Sequence, residues 1–140
     1  MIKHLQELLS IESVANHGEN GTPYGVGPAE ALEYMLTLCE QLGFRTKNAD
    51  GRYGYAEIGE GKDIIGVLGH LDVVPAGSGW DYPPFAGTVD NGCLYGRGTL
   101  DDKGPMLISV YAARDLAQEY AEKGKAMNKR IRLIFGQTEE

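Results

Sequence analysis

The chain opens with apolar residues at helical spacing: Ile2, Leu5, Leu8 and Leu9 share one face, and the pattern ends near Ser10–Ser13. A polar, glycine-rich stretch over 17–27 follows without strong periodicity. Pro28 stands where the first position of a helix tolerates proline. Leu32, Met35, Leu36, Cys39 and Leu42 then form a second buried stripe that Gly43 stops. Residues 44–48 and 52–58, separated by Ala49-Asp50-Gly51, read as a hairpin with Asp-Gly in its turn. Ile64-Ile-Gly-Val-Leu68 is a continuous apolar run suited to a central strand covered on both faces. Residues 77–85 form a loop, and 87–95 two short strands joined at Asn91-Gly92. From Lys103 or Pro105 to about Tyr120 a third helix buries Met106, Leu107, Val110, Tyr111, Ala113, Leu116 and Ala117. A basic connector carrying Lys123, Lys125, Lys129 and Arg130 leads to a last strand over 131–135.

Strands and helices interleave, which predicts an α/β fold: a partial three-layer αβα sandwich with a mixed, mostly parallel sheet. At 140 residues the chain is about one domain long. It stops on two carboxylates directly after a strand, and is expected to be a truncated piece of a longer protein. A formal charge of −7 argues against nucleic-acid binding. No apolar run approaches the roughly 18 residues that cross a bilayer. The first ten residues have too short an apolar stretch for a signal peptide and no small-residue cleavage site, and the two cysteines, Cys39 and Cys93, have no metal-knuckle or disulfide-scaffold spacing. A cytoplasmic protein with reduced thiols is expected. Twenty glycines are about twice the usual share of roughly 7%; dispersed and unrepeated, they read as tight turns.

Only three histidines occur. His4 falls in the first amphipathic helix and His17 in the polar loop, so both are expected to be solvated. His70 directly follows the apolar run, in Gly69-His-Leu-Asp72. Residues two apart on an extended chain point to the same side. Imidazole and carboxylate are then neighbours at the carboxyl end of a strand, where open α/β sheets place ligands. A carboxylate on one ring nitrogen fixes the tautomer and raises the basicity of the other, as a metal-ligating histidine needs; the same pair also serves as a purely structural hydrogen bond. Gly96-Arg-Gly-Thr-Leu-Asp-Asp-Lys-Gly104 sets Asp101 and Asp102 before the third helix, whose N-terminal end favours anions. An N-cap accounts for one aspartate, but not for two glycines, a threonine and a second aspartate in the same turn. Glu139 and Glu140 follow the last strand. One acid of such a pair can bind a metal while the other moves a proton; a solvated chain end is the alternative. All these groups gather at one rim of the sheet if the third and last strands run parallel. One imidazole with hard carboxylate oxygens suits zinc, manganese or cobalt in a catalytic rather than a structural site.

Four segments in order, Gly69-His-Leu-Asp-Val-Val-Pro75, Gly79-Trp-Asp-Tyr-Pro-Pro-Phe85, Gly96-Arg-Gly-Thr-Leu-Asp-Asp-Lys-Gly-Pro105 and Gly136-Gln-Thr-Glu-Glu140, carry a family resemblance. The chain resembles the zinc metallopeptidases that include carboxypeptidase G, aminoacylase, succinyl-diaminopimelate desuccinylase and the PepV-type dipeptidases. Asp-Asp-Lys-Gly-Pro105 and Pro23-Tyr-Gly-Val-Gly-Pro28 are most similar to the dipeptidase branch. The resemblance implies that His70 ligates a first metal while Asp72 holds its ring, that Asp101 bridges two zinc ions, that Glu139 is the general base and that Glu140 ligates the second metal. It also implies a cis Asp101–Asp102 peptide bond. The implied reaction is amide hydrolysis by a water held between the metals and activated by Glu139, with dipeptides as the favoured substrates. An N-acyl amino acid amidohydrolase of the desuccinylase or aminoacylase type is the second enzymatic reading. Residues 1–140 would then be the N-terminal part of the catalytic domain. A lid or dimerisation domain, the C-terminal half, a further acid and a distal histidine would lie downstream, leaving the piece itself inactive. Trp80, Tyr82 and Phe85 either flank the cleft or anchor their loop. The non-catalytic alternative is a truncated binding or oligomerisation module, self-associating through an exposed sheet edge.

Overall fold

The computed structural model describes residues 1–18 and 21–140; positions 19 and 20 of the polar stretch lie outside the described residues. Helix α1 (Ile2–Leu9) leads to α2 (Val26–Gln41), the strands β1 (Arg45–Ala49), β2 (Tyr53–Gly59) and β3 (Asp63–His70), the short pair β4 (Thr88–Asp90) and β5 (Cys93–Tyr95), then α3 (Lys103–Glu122) and β6 (Lys129–Gly136). Helix α2 begins two residues ahead of Pro28, so the proline sits inside the first turn. It is tolerated there because first-turn amides have no partner within the helix. Asp50 and Gly51 both take positive φ, 54° and 67°, and make the tight β1–β2 turn that Asp-Gly announces.

The main sheet runs β1-β2-β6-β3. β3 and β6 are parallel, joined by the α3 crossover, whereas β1–β2 and β2–β6 are antiparallel. The sheet is thus mixed, with a smaller parallel share than expected: one pair of three. On one face Ala56, Leu133 and Phe135 pack with Leu32 and Leu36 of α2 and with Met106, Leu107 and Val110 of α3. Burying these side chains at roughly 25 cal/mol per Å² of apolar surface is the main force that closes the two layers.

β3 departs from its expected place. Among the described residues it pairs only with β6 and so forms an edge of the sheet, and Ile64 and Leu68 on the face away from the helices are 43% and 76% exposed. The run is as apolar as a strand covered twice, yet α2 and α3 pack on the other face alone. Leu116, expected in the core, is 39% exposed and borders the hollow beside Ile65 at that same edge. His4 also differs: it is half-buried and its Nδ1 meets the Tyr111 hydroxyl, tying α1 to α3. His17 is exposed as expected. No helix among the described residues is long and apolar enough to cross a membrane.

Glu57, on the uncovered face of β2, is 6% exposed because three arginines from neighbouring strands close over it. Its Oε1 accepts from Arg45 at 3.2 Å and Arg130 at 3.3 Å, and its Oε2 from Arg132 Nε at 2.9 Å. Burial alone would raise its pKa, but the bonds to Arg132 and Arg45 and the charge of Arg130 outweigh it and hold the carboxyl below the usual carboxylate range. A depressed folded-state pKa contributes stability that is present above the unfolded value and lost as pH falls through the folded one. Glu57→Gln should therefore cost about 1.5–3 kcal/mol at neutral pH, the usual range for a hydrogen bond to a charged group. Urea unfolding should show the gap from wild type closing as the solution is taken below the carboxylate range.

Candidate metal centre

Parallel pairing of β3 with β6 places the ends of both strands at one rim. His70 is in register with Gly136, and the Leu71 N–H extends the pairing to the Gly136 carbonyl at 2.9 Å. The rim opens into a cleft of about 550 Å³ lined by Arg52, His70, Asp101, Asp102, Gln137 and Glu139, among others. One donor atom each of His70, Glu139 and Glu140 lies within 4.8 Å of the other two. Asp101 stands beside this cluster, its Oδ1 at 3.0 Å from His70 Nε2.

Asp72 is fully buried between the two strand ends. Its Oδ2 accepts the backbone N–H groups of Glu139 at 2.9 Å and Glu140 at 3.0 Å. The His70 ring meets Asp72 mainly through the backbone: Nδ1 lies 3.0 Å from the Asp72 carbonyl oxygen and 3.5 Å from Oδ1. The buried Oδ1 has no hydrogen-bond partner. Asp72 therefore holds both the ring and the chain carrying the glutamates.

The Asp101–Asp102 peptide bond is cis. Asp102 occupies the N-cap position of α3, but its side chain does not cap the helix; its Oδ2 instead accepts the backbone N–H of His70 at 3.2 Å. That reach explains the neighbouring glycines. A Cβ on Gly69 would lie 2.1 Å from Asp102 Oδ2, and one on Gly104 would lie 2.0 Å from the Thr99 carbonyl oxygen. Larger residues would push the turn off the strand end.

The donor chemistry fits a cation. A backbone carbonyl only accepts, so Nδ1 of His70 carries a proton. The neutral ring then presents its Nε2 lone pair to Asp101 Oδ1, with Glu139 Oε2 3.8 Å away. Acceptors facing acceptors need a positive charge between them, either a second ring proton or a metal ion. Burial would push the His70 pKa down, but the bond to the Asp72 carbonyl and the charges of Asp72 and Asp102, with the Asp101 bond, outweigh it and hold the ring above its ordinary value. The set contains one imidazole, carboxylates and no thiolate, which suits a catalytic ion rather than a structural zinc.

Some contributors were not singled out from the sequence. Gln137, 1% exposed, donates from Nε2 to the Gly51 carbonyl at 2.6 Å and moors the β1–β2 turn, bringing Arg52 to the cleft. A polar residue after a strand looks like solvent-facing chain, so nothing in its position marked it. Two aromatic residues of the 77–85 loop, Trp80 and Tyr82, behave as anchors. Trp80 donates to the Ala76 carbonyl at 2.8 Å, and Tyr82 donates to Asp90 at 2.8 Å while its ring lies 4.7 Å from that of Tyr95. None of Trp80, Tyr82 and Phe85 lines the cleft.

An α/β rim with one histidine, clustered acids and a cis turn defines a metal-site class that similarity makes specific. Residues 66–140 match the profile of peptidase family M20/M25/M40, and the chain belongs to that family. It is 44% identical over 142 residues to YtjP of Bacillus subtilis (strain 168), which carries a dipeptidase name, and a similarly named relative from Staphylococcus epidermidis is also 44% identical. Each match takes in 100% of this chain and 30% or 29% of the relative, so the chain spans less than a third of their length. Among solved structures it is similar to human carnosine dipeptidase 1, with a TM-score of 0.73 and 26% identity over 97% of this chain and 31% of that one. It is also similar to the M20 family metallo-carboxypeptidase Sso-CP2 from Sulfolobus solfataricus, with a TM-score of 0.75 and 25% identity over 97% and 30%.

The raised His70 pKa has a defined sign. Folding favours the charged ring, so its stabilisation is full below the ordinary imidazole value and is lost as pH rises through the folded one. In metal-free protein, an NMR titration should place His70 above 6.5. Asp72→Asn keeps an oxygen for the Glu139 and Glu140 amides but removes the charge, and should bring the value down.

Proposed function

We propose that this chain is the N-terminal part of the catalytic domain of a zinc-dependent dipeptidase. The observation that carries the reading is the convergence, within 4.8 Å, of donor atoms from His70, Glu139 and Glu140 beside Asp101, at the joined ends of β3 and β6. Dipeptidase names among the relatives favour dipeptides over N-acyl amino acids as substrates. The open β3 edge and its exposed Ile64 and Leu68 support a larger domain in which further chain completes the sheet.

In this reading His70, Asp101 and Glu140 would hold the zinc, with Asp101 shared between the His70 and Glu140 sides of the site. Bound zinc supplies Lewis-acid polarisation of the scissile carbonyl and makes water acidic at neutral pH. Glu139 accepts the proton from the attacking water and returns it to the leaving amine. Asp72 keeps the His70 ring and the Glu139 backbone in fixed relation. Asp102 supports the turn beneath Asp101. Each side of the site receives two protein ligands from these 140 residues, fewer than the three usual at catalytic zinc, so the remaining ligands come from downstream chain.

The full-length protein should therefore bind zinc and release free amino acids from dipeptides, measured by metal analysis and chromatography. Glu139→Gln should retain zinc and lower kcat by roughly 10²–10⁴-fold, the span of general-base catalysis. His70→Ala should lose zinc itself. Zinc-loaded full-length protein that cleaves no dipeptide, or Glu139→Gln at full rate, would sink the assignment; preference for N-acyl amino acids would move it to the amidohydrolases. Residues 1–140 alone should show no hydrolysis above a metal-only control.

A further inference from the structure

The Asp101–Asp102 turn continues into a residue that the proposed mechanism leaves unused. Lys103, the first residue of α3, is fully buried, and its Nζ donates to the backbone carbonyls of Leu8 at 3.0 Å and Ile11 at 2.7 Å. These carbonyls lie at the C-terminal end of α1. A helix there leaves carbonyls without helical partners and carries partial negative charge. α1 has no basic residue in its own last turn, so Lys103 reaches across to provide the cation.

Three consecutive side chains thus run to three different anchors. Asp101 meets the His70 ring, Asp102 accepts from the His70 backbone, and Lys103 grips α1. With each side chain fixed in its own direction, the turn can neither slide along the strand end nor rotate about it. An apolar side chain of similar length would fill the same space without the desolvation cost of a buried ammonium. What it would lack is directional bonding to two carbonyls.

We propose that Lys103 is a positioning residue for the metal centre: it locks the Asp101–Asp102 turn to the end of α1 and so sets where the Asp101 carboxylate stands opposite His70 and the glutamates. The inference rests on the reading of His70, Asp101 and Glu140 as metal ligands. It makes α1 part of the site at one remove. Because coupling between sites is reciprocal, metal loading must in turn steady α1.

The test uses the full-length protein and zinc alone. Competition titration with a chelating dye should show Lys103→Met binding zinc about 10–100-fold more weakly while circular dichroism reports a retained fold, the range found when a residue supporting a metal ligand is removed. Leu36→Ala, a core change in α2 away from the turn, serves as the stability control and should lower the thermal midpoint without loss of zinc affinity. In wild type, hydrogen exchange read by mass spectrometry should slow in residues 2–11 when zinc is added, on the order of tenfold. Wild-type zinc affinity in Lys103→Met overturns the proposal, as does α1 exchange that ignores zinc. If Lys103→Met does not fold, the wild-type exchange measurement decides alone. A wild type that binds no zinc overturns the metal-centre reading and this inference with it, whereas tight zinc binding without coupling to α1 overturns only the inference.

Discussion

The buried carboxylate of Asp72 links the ends of two strands that are distant in sequence. One of its oxygens receives the N–H groups of Glu139 and Glu140, while its own backbone carbonyl receives the His70 ring. Taking a carboxylate out of water costs several kcal/mol unless hydrogen bonds and opposite charge compensate. Here two amide donors do so, helped by the field of buried Lys103. Burial pulls the Lys103 ammonium down to about 8 even though the Asp72 charge holds it up. Without Asp72 the parallel strands would still pair, but the chain beyond β6 would lose its attachment to the histidine.

Much of the architecture was legible because local chemistry and tertiary packing agree. The Asp50-Gly51 turn, the apolar stripes of α2 and α3 and the interleaving of strands with helices all point to the observed elements. Strand-end placement also brought His70, Asp101 and the glutamates toward one rim, since a parallel β3–β6 pair puts both carboxyl ends on the same side. Other features were illegible for identifiable reasons. Periodicity reports that Ile64 and Leu68 are apolar but cannot say which neighbours cover them. An aspartate before a helix looks the same whether it caps that helix or, like Asp102, bonds the neighbouring strand. A lysine heading a helix looks solvated until the carbonyls it reaches, 92 and 95 positions away, are known. Likewise, Arg130 reads as part of a basic connector, yet it folds over Glu57.

Family membership and geometry divide the explanation between them. Similarity covers the whole chain but under a third of the relatives, so it identifies the kind of scaffold and leaves the completed active centre to longer chains. Geometry adds which groups within these residues depend on one another. The small residues Gly69 and Gly104 are required by close approach at the turn, where a side chain would collide with Asp102 or Thr99. The loop aromatics Trp80 and Tyr82, by contrast, tie their loop to Ala76, Asp90 and Tyr95 rather than to the cleft.

The strand order has a bearing on biosynthesis. β6 lies in the interior of the sheet, between β2 and β3, although it is made last of the four. Until residues 129–136 leave the ribosome, the β1–β2 hairpin and β3 have no common partner, and the facing edges of β2 and β3 stay unpaired. A late interior strand of this kind concentrates long-range contacts in one insertion, the situation in which a nascent chain folds slowly and is exposed to aggregation.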